Sequence, residues 1–251
     1  MSVRLERHGE AAHLVIDRAA KRNSMTQDMW LAMPGLVEQA VADRSVKVLV
    51  VRAAEPGPFC AGADLGEFMA HADDVDWLTE SQHAINRTQR AVARAALPTV
   101  AFVEGDCIGG GCGLAVACDL RVATPAARFA VTPAKLGLIY PLHDVKLLVD
   151  LIGPGQAKRL MFTGAIIGAA EAHRIGLVEA IADGPGEMVD AIAAVSPFSV
   201  RETKELVRRV GDGQSEDDDY TWTTFAGAFQ GSDFREGVGA FLAKRKARFE
   251  R

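Results

Sequence analysis

Apolar positions recur with two different periods along the first three quarters of the chain. Alternation with a period of two on either side of His8-Gly9-Glu10 predicts a β-hairpin, Val3–Arg7 with Ala12–Asp17. Continuous apolar runs predict buried strands over Lys47–Arg52, Thr99–Val103, Leu120–Ala123, Arg128–Val131 and Leu177–Ile181. Helical spacing predicts helices over Gln27–Val41 after a Thr26 cap, Trp77–Ala96, Gly110–Cys118, His143–Leu151 and Gly155–Phe162. Strands that alternate with helices in this order indicate an α/β fold with parallel pairing.

The pattern changes after residue 185, where only helical spacing remains. Four helices are predicted there, over Glu187–Val195, Ser199–Val210, Asp217–Phe229 and Asp233–Phe249. No Pro/Gly/Ser-rich linker separates the two parts. We therefore expect residues 1–185 to form an α/β core. Residues 186–251 should form a helical region that packs on its own core or on a neighbouring subunit.

Composition narrows the possible partners. Of the 251 residues, 49% are hydrophobic, which is enough for a sizeable core, and the formal net charge is −5. An acidic chain with interspersed charges argues against nucleic acid as the main partner. The N-terminus lacks the apolar segment of a signal peptide, and the most apolar stretch, Val100–Ala117, contains Glu104 and Asp106. We expect a cytoplasmic protein that does not enter a membrane.

The four cysteines do not predict a metal site. Their spacing, at Cys60, Cys107, Cys112 and Cys118, matches no zinc pattern. Small buried residues in tight packing are the favoured interpretation. A nucleophilic cysteine is the alternative, but no motif supplies it with a histidine partner.

Two glycine-rich segments carry the candidate chemistry. Pro58–Leu65 and Gly105–Leu114 each follow an apolar strand and each precede a predicted helix. A helix start has free N–H groups and a partial positive charge, and glycine lets the backbone approach a ligand closely. Two such N–H groups aimed at one point would hold the developing oxyanion of a carbonyl or thioester. The alternative is that both turns only permit tight packing of helix on strand.

These segments and their flanks resemble the crotonase superfamily, the enoyl-CoA hydratases and isomerases. The resemblance extends over nearly the whole chain, from Asp17-Arg18 to Lys246. It rests on the following runs: Lys21–Met25, Phe59–Leu65, Gly109–Cys112, Cys118–Arg121, Arg235–Gly237 and Phe241–Lys246. It implies a spiral of ββα units with a helical C-terminal region. It also implies a coenzyme A thioester as substrate, no permanently bound cofactor, and assembly as a trimer or a dimer of trimers.

The resemblance also assigns roles to single residues. The N–H groups of Ala63 and Gly110 match the oxyanion hole of the family. Coenzyme A would be contacted near Ala61, Asp64, Leu65, Gly66 and Thr132, with Lys21 near the nucleotide. Phe241 and Lys244 match positions that reach a coenzyme A bound mainly by another subunit. For the two lysines, a solvated surface position is the alternative.

The chain departs from the hydratases at both of their acid–base positions. Hydratases of the family use two glutamates, and the corresponding residues here are Gly113 and Pro133, which cannot transfer a proton. The run Thr132–Gly137 and Tyr140 resemble the methylmalonyl-CoA decarboxylases of the superfamily, although Ala63 replaces the histidine of that group.

Three residues could supply the proton chemistry instead. Tyr140 could donate a hydrogen bond or a proton to an enolate, and His143 beside Asp144 could titrate near neutral pH. Tyr140 could equally be a packed aromatic, Asp144 a helix cap and His143 a surface residue. Isomerisation or decarboxylation through an enolate is therefore favoured over hydration. An inactive acyl-CoA-binding protein and a hydratase with relocated acid and base are the alternatives.

Overall fold

A six-stranded sheet forms the centre of the fold in this computed structural model, which describes residues 2–249. Its strands lie in the order β1-β2-β3-β4-β6-β9. Their bounds are Val3–His8, Ala11–Ile16, Val48–Ala53, Thr99–Val103, Leu120–Ala123 and Ala180–Ile181. The β1–β2 hairpin is antiparallel and every other pair in this sheet is parallel.

A second sheet of three short strands lies in the order β5-β7-β8, with bounds Asp106–Ile108, Arg128–Ala130 and Ile167–Gly168. The chain moves between the sheets in a repeating way. β4 of the large sheet is followed by β5 of the small sheet and then a helix, and β6, β7 and the next helix repeat this order. This is a spiral of ββα units, and the predicted α/β fold is confirmed.

Ten α-helices surround the sheets in the described part of the chain. Their bounds are Gln27–Ala42 (α1), Leu65–Ala70 (α2), Val75–Ala93 (α3), Gly110–Ala117 (α4), Leu142–Thr163 (α5), Ala169–Arg174 (α6), Gly186–Ala193 (α7), Pro197–Gly211 (α8), Asp219–Ala228 (α9) and Ser232–Leu242 (α10). Thr26 caps α1 as predicted, accepting from the N–H of Met29 over 3.4 Å. None of these helices combines the length and the apolar character that crossing a bilayer requires.

The main core lies between the large sheet and helices α1, α3, α4 and α5. Its largest buried side chains include Trp30, Phe59, Leu114, Phe129 and Leu148, each less than 3% exposed. Seven of the eight residues of α4 are buried, so this short helix runs through the middle of the protein. The glycine-rich sequence of α4 fits this place because glycine allows close approach of other backbones.

Several predicted elements differ in extent from the observed ones. The two helices predicted around residues 143–162 are confirmed, because α5 is interrupted at Gly153, whose φ of 74° and ψ of 160° are not helical, and Pro154 begins its second half. The strand predicted over Leu177–Ile181 pairs only at Ala180–Ile181. The last helix ends at Leu242 rather than Phe249, because Lys244 takes a left-handed φ of 51°.

Within residues 2–249, every strand precedes residue 186 and the chain after it is helical. The helix expected after the first glycine-rich segment is α2. The sequence pattern did not predict α6, β5 or β8, each of which is too short to show a period.

Candidate active site

The two glycine-rich segments lie side by side in the structure. An isolated parallel bridge joins Cys60 to Cys107. The N–H of Cys60 donates to Asp106 over 3.1 Å, and the N–H of Ile108 donates to Cys60 over 2.9 Å. A second bridge pairs Met25 with Ala63. These backbone hydrogen bonds fix the loop before α2 against the loop that enters α4.

Glycine is required at two points of this contact. Gly62 has a φ of 93°, and a Cβ there would lie 3.1 Å from the nitrogen of Gly110. A Cβ on Gly111 would overlap the backbone carbonyl of Cys60, which cannot move aside without breaking the bridge to Cys107. The two segments therefore approach more closely than any pair with side chains could.

This approach brings the backbone nitrogens of Ala63 and Gly110 close together. A Cβ on Gly110 would lie 3.6 Å from the nitrogen of Ala63. Met25 pairs with the neighbours of Ala63: it donates to Gly62 over 2.8 Å and accepts from Asp64 over 2.9 Å. Within residues 2–249, neither the N–H of Ala63 nor that of Gly110 has an acceptor. Gly110 also begins α4, so the partial positive charge of a helix start adds to the two free donors.

Tyr140 lies against the same loop. Its hydroxyl donates to the carbonyl oxygen of Gly109 over 2.5 Å, and its ring lines the internal cavity beside Gly113. Burial raises the pKa of the phenol well above its usual value, and the nearby thiol of Cys112 and carboxylate of Asp144 raise it further. The hydroxyl proton is therefore already donated to a backbone carbonyl, and the phenol is a weaker acid than an exposed tyrosine.

Asp144 is buried and also lines this cavity. Its side chain does not cap α5, which begins at Leu142 without a side-chain cap, so the capping alternative is wrong. A Cβ on Gly113 would lie 3.7 Å from its Oδ2 atom. Burial raises the pKa of Asp144 to about 6, and the hydrogen bond from Gln89 offsets only part of that rise. A carboxyl group with this pKa can exchange a proton near neutral pH.

Gln89 holds the carboxyl group of Asp144 in place. With its amide nitrogen facing Asp144, Gln89 donates to Oδ1 over 2.5 Å and to Oδ2 over 3.3 Å. A Cβ on Gly113 would collide with the same amide. The cavity between Gly113, Tyr140 and Asp144 measures about 10 Å³, which is the space of a single water.

His143 faces another direction. It is half-buried, and its Nε2 atom is buried without a hydrogen-bond partner in the described part of the protein. Burial lowers its pKa, and the cations Arg90, Arg94 and Lys146 lower it further. The solvated alternative for His143 is therefore wrong. Neighbours on a helix face different sides, and only Asp144 of this pair lines the cavity.

Comparison with known proteins shows the family of the chain. Residues 6–251 match the family described as Enoyl-CoA hydratase/isomerase. The chain belongs to this family. It is 31% identical to a crotonyl-CoA hydratase of Syntrophomonas wolfei over 98% of its own length and 96% of that protein. It is 30% identical to a short-chain-enoyl-CoA hydratase of Clostridium acetobutylicum, with the same coverage of both chains. An enoyl-CoA hydratase/isomerase family protein from Hyphomonas neptunium superimposes with a TM-score of 0.95 at 38% identity, covering 100% and 98% of the two chains.

Acyl-CoA thioesters are thus the substrate class of the family, and the loop before α2 is the expected coenzyme A contact. Three N–H groups of this loop and of the start of α2 are already used: Ala61 donates to Arg22, Asp64 to Met25, and Gly66 to the carboxylate of Asp64. Arg18 contacts the Asp64 carboxylate over 2.7 Å and lowers its pKa. The carbonyl of Ala61 accepts from no other residue in the described part, so it can accept from a ligand.

The other expected coenzyme A residues lie apart from one another. Thr132 is next to the glycine loop, with its Oγ1 atom 3.2 Å from the Cβ position of Gly109. Lys21 ends a short 3-10 turn and is exposed. Phe241 is 81% exposed at the end of α10, and Lys244 follows it.

The four cysteines are free and buried, as favoured from the sequence. Burial raises the pKa of Cys60 and of Cys118 to about 12, and that of Cys107 well above its usual value. Such thiols carry almost no thiolate at neutral pH, so a nucleophilic role has no support.

Sequence reasoning missed Gln89 and Trp30. Gln89 is fully buried on the apolar face of α3, between Ile85 and Val92. A polar residue within an apolar stripe is the signal that could have found it. Trp30 is fully buried, and its ring lies 3.6 Å from the Cβ position of Gly110. Nothing in the local sequence marks it.

Proposed function

We propose that the protein binds an acyl-CoA thioester and holds the thioester oxygen between the N–H groups of Ala63 and Gly110, where it stabilises the enolate. The single observation that supports this is the pair of neighbouring N–H groups without acceptors at the start of a buried helix. A donor of this kind is typically worth about 10²–10³ in rate. The names of the hydratases that the chain resembles fit the same substrate class.

We further propose that the reaction moves a proton and does not add water. Hydration needs an acid and a base, because one carbon of the double bond takes up a proton while the other takes up hydroxide. The two positions that carry these groups in hydratases are Gly113 and Pro133 here. One carboxyl group, Asp144, lies within 3.7 Å of where a side chain of residue 113 would begin. A single base is sufficient for the isomerisation of a 3-enoyl-CoA.

The proposed steps balance with one base. The Asp144 carboxylate takes a proton from Cα, and the electrons of that C–H bond move through the carbonyl to the oxygen held by the two N–H groups. The protonated carboxyl then returns the proton to Cγ, and the double bond shifts into conjugation with the thioester. A pKa of about 6 suits both halves of this transfer. Tyr140 is less suited to it because its hydroxyl is bonded to Gly109.

A panel of three thioesters tests this function. Purified protein is incubated with 3-hexenoyl-CoA, crotonyl-CoA and methylmalonyl-CoA, and the products are separated by chromatography. We expect isomerisation to exceed hydration and decarboxylation by at least about tenfold. Faster hydration would instead mean a hydratase with relocated acid and base, and faster decarboxylation a decarboxylase. Tight binding without turnover would mean an inactive binder, and absence of binding would refute the whole proposal.

Asp144→Asn tests the proposed base. The amide keeps the shape of the carboxyl group but cannot accept the proton, so we expect kcat to fall about 10²–10⁴-fold with little change in thioester affinity. Asp150→Asn is the matched control, because Asp150 lies on the same helix, half-exposed beside Lys146. Equal activity of both variants would remove Asp144 from the mechanism.

We also propose that the region 186–251 assembles the protein as a trimer or a dimer of trimers. Trp222, Phe225, Phe229 and Phe234 form a chain of edge-to-face contacts, with ring centroids 5.4–6.2 Å apart, yet each is 43–60% exposed. Contiguous exposed aromatics of this kind are typical of interfaces between proteins, and a second copy is the occupant we propose. Light scattering should give three or six times 26.8 kDa. A monomeric mass would contradict it.

Coenzyme A would then be bound by groups from two subunits. We propose contacts near Ala61 and Leu65 in one subunit, with Lys21 beside the nucleotide and with Phe241 and Lys244 from a neighbour. Because both lysines are exposed, Lys21→Ala and Lys244→Ala should weaken coenzyme A binding without altering unfolding. Calorimetry with coenzyme A checks this, and unchanged affinity in both variants would exclude the two contacts.

A further inference from the structure

The peptide between Gly109 and Gly110 has to be held in one orientation for the proposed thioester site to exist. Gly109 has a φ of 56° and a ψ of −123°, a conformation that side-chain-bearing residues rarely adopt. The peptide is trans, so its C=O and N–H point in opposite directions. Wherever the carbonyl of Gly109 is fixed, the N–H of Gly110 is fixed on the other side.

No Cβ atom of its own two residues opposes rotation of this peptide. A peptide flip changes ψ of one residue and φ of the next, and the main steric barrier to it comes from Cβ atoms. Here both residues are glycines, and Gly111 follows. A flipped peptide would turn the carbonyl of Gly109 toward the thioester oxygen and remove one of the two donors.

Two groups hold the carbonyl of Gly109 in place. The N–H of Gly113 donates to it over 3.1 Å as the first hydrogen bond of α4, and the hydroxyl of Tyr140 donates to it over 2.5 Å. A hydrogen bond to the carbonyl also polarises the peptide, which strengthens the hydrogen bond that its N–H can donate by ~10–30%. Tyr140 therefore contacts the face of the peptide opposite the proposed oxyanion.

We propose that Tyr140 is a positioning residue, whose hydroxyl locks and polarises the Gly109–Gly110 peptide so that the N–H of Gly110 faces the thioester oxygen. This rests on the proposed function, since it needs a thioester in that site. It replaces the proton-transfer role predicted for Tyr140 from the sequence. The raised pKa of the phenol is consistent with it, because a neutral hydroxyl is what donates to a carbonyl.

Infrared difference spectroscopy of bound crotonyl-CoA, labelled with ¹³C at the carbonyl, tests the proposal directly. The carbonyl stretch falls in frequency when N–H groups donate to the oxygen. We expect wild type to lower it relative to free crotonyl-CoA, and Tyr140→Phe to lose a clear part of that decrease. Tyr220→Phe is the control, because the chain has only these two tyrosines and Tyr220 contacts Glu202 on the protein surface.

Kinetics separate positioning from proton transfer. With the thioester that the panel identifies as substrate, Tyr140→Phe should lower kcat about 10–100-fold, less than the loss of a whole donor, with KM within about twofold. The pH dependence of kcat should keep its shape, because another group carries the proton. A loss of one limb of the pH profile with an unchanged carbonyl frequency would overturn the proposal and return Tyr140 to proton transfer.

A second measurement covers the case in which Tyr140→Phe does not fold. Biosynthetic replacement of both tyrosines by 3-fluorotyrosine makes the hydroxyl a stronger donor with little change in size. The carbonyl frequency of bound crotonyl-CoA should then fall further than in wild type, and an unchanged frequency would refute the polarising role. If wild type itself leaves the carbonyl frequency of crotonyl-CoA unchanged, the proposed function fails rather than the role of Tyr140.

Discussion

The buried carboxyl group of Asp144 should make the stability of the protein depend on pH in a way that one substitution removes. Its pKa is raised from the ordinary 3.8 to about 6. The folded state therefore binds the proton more tightly than the unfolded state, and stability falls as pH rises from about 4 to about 6. A rise of about two pKa units, at about 1.36 kcal/mol per unit, means that the ionised carboxylate lowers the free energy of unfolding by about 3 kcal/mol above pH 6.

Asp144→Asn removes this cost because the amide does not ionise. The size of the Asp144→Asn effect on unfolding free energy should therefore change with pH. The unfolding free energy of the variant relative to wild type should be about 2 kcal/mol greater at pH 8 than at pH 4.5. The difference is smaller than the full cost because part of the cost is already present at pH 4.5. Other titrating groups are the same in both proteins, so their contributions cancel in the difference.

Urea denaturation followed by circular dichroism at pH 4.5, 6 and 8 measures this difference. The protein concentration is kept constant, because assembly contributes to apparent stability. Asp150→Asn is again the control for an Asp→Asn change on the same helix at a half-exposed position. If the difference between Asp144→Asn and wild type is the same at all three pH values, Asp144 ionises in the folded protein as it does in water. The electrostatic part of the proposed mechanism would then be wrong.

Three further predictions concern packing and reactivity. Gly111→Ala should lower the free energy of unfolding by more than about 3 kcal/mol, because its Cβ meets the carbonyl of Cys60. Gly113→Ala should lower it by about 1 kcal/mol, since it displaces only the Gln89 side chain and gains helix propensity. Urea unfolding that ranks the two variants equally would contradict the contact geometry. Arg121→Met should cost about 3–5 kcal/mol in the same assay, because Arg121 is 1% exposed and pairs with Glu179, and a loss below 1 kcal/mol would show that its hydrogen bonds are dispensable. The buried cysteines should react with a thiol reagent only after addition of urea, and rapid labelling of the native protein would refute their burial.

Much of the fold follows from local patterns. The hairpin, the buried strands and α1 were predictable because alternation, apolar runs and a threonine cap are properties of neighbouring residues. The break within α5 was predictable too, because Gly153 and Pro154 interrupt a helix. The way in which its two halves pack was not. In the protein, the packing of Leu148, Ile152 and Leu160 keeps both halves together. Tertiary contacts of this kind are not encoded by spacing.

One part of the candidate site, the pair of backbone donors, was predictable from the sequence, and the other part, the buried carboxyl group, was not. The N–H pair of Ala63 and Gly110 could be proposed because backbone donors depend on turn residues, which the sequence displays. The environment of Asp144 could not, because its burial depends on Gln89 from a helix more than fifty positions away. The sequence placed Asp144 and His143 together, and only the fold shows that one faces the cavity and the other faces three cations.

The neighbours of residue 113 explain why it has no side chain. The space that a glutamate would enter contains the Gln89 amide and borders the Asp144 carboxyl, so residues 89, 113 and 144 form one packed set. A glutamate at 113 could not coexist with Gln89 in its present place, and Gln89 in turn holds Asp144. In the proposed mechanism, the carboxyl group therefore comes from α5 instead of α4. In that mechanism, this one buried carboxyl with a raised pKa moves a proton along an enolate, whereas adding water across a double bond would require a second group that Pro133 cannot provide.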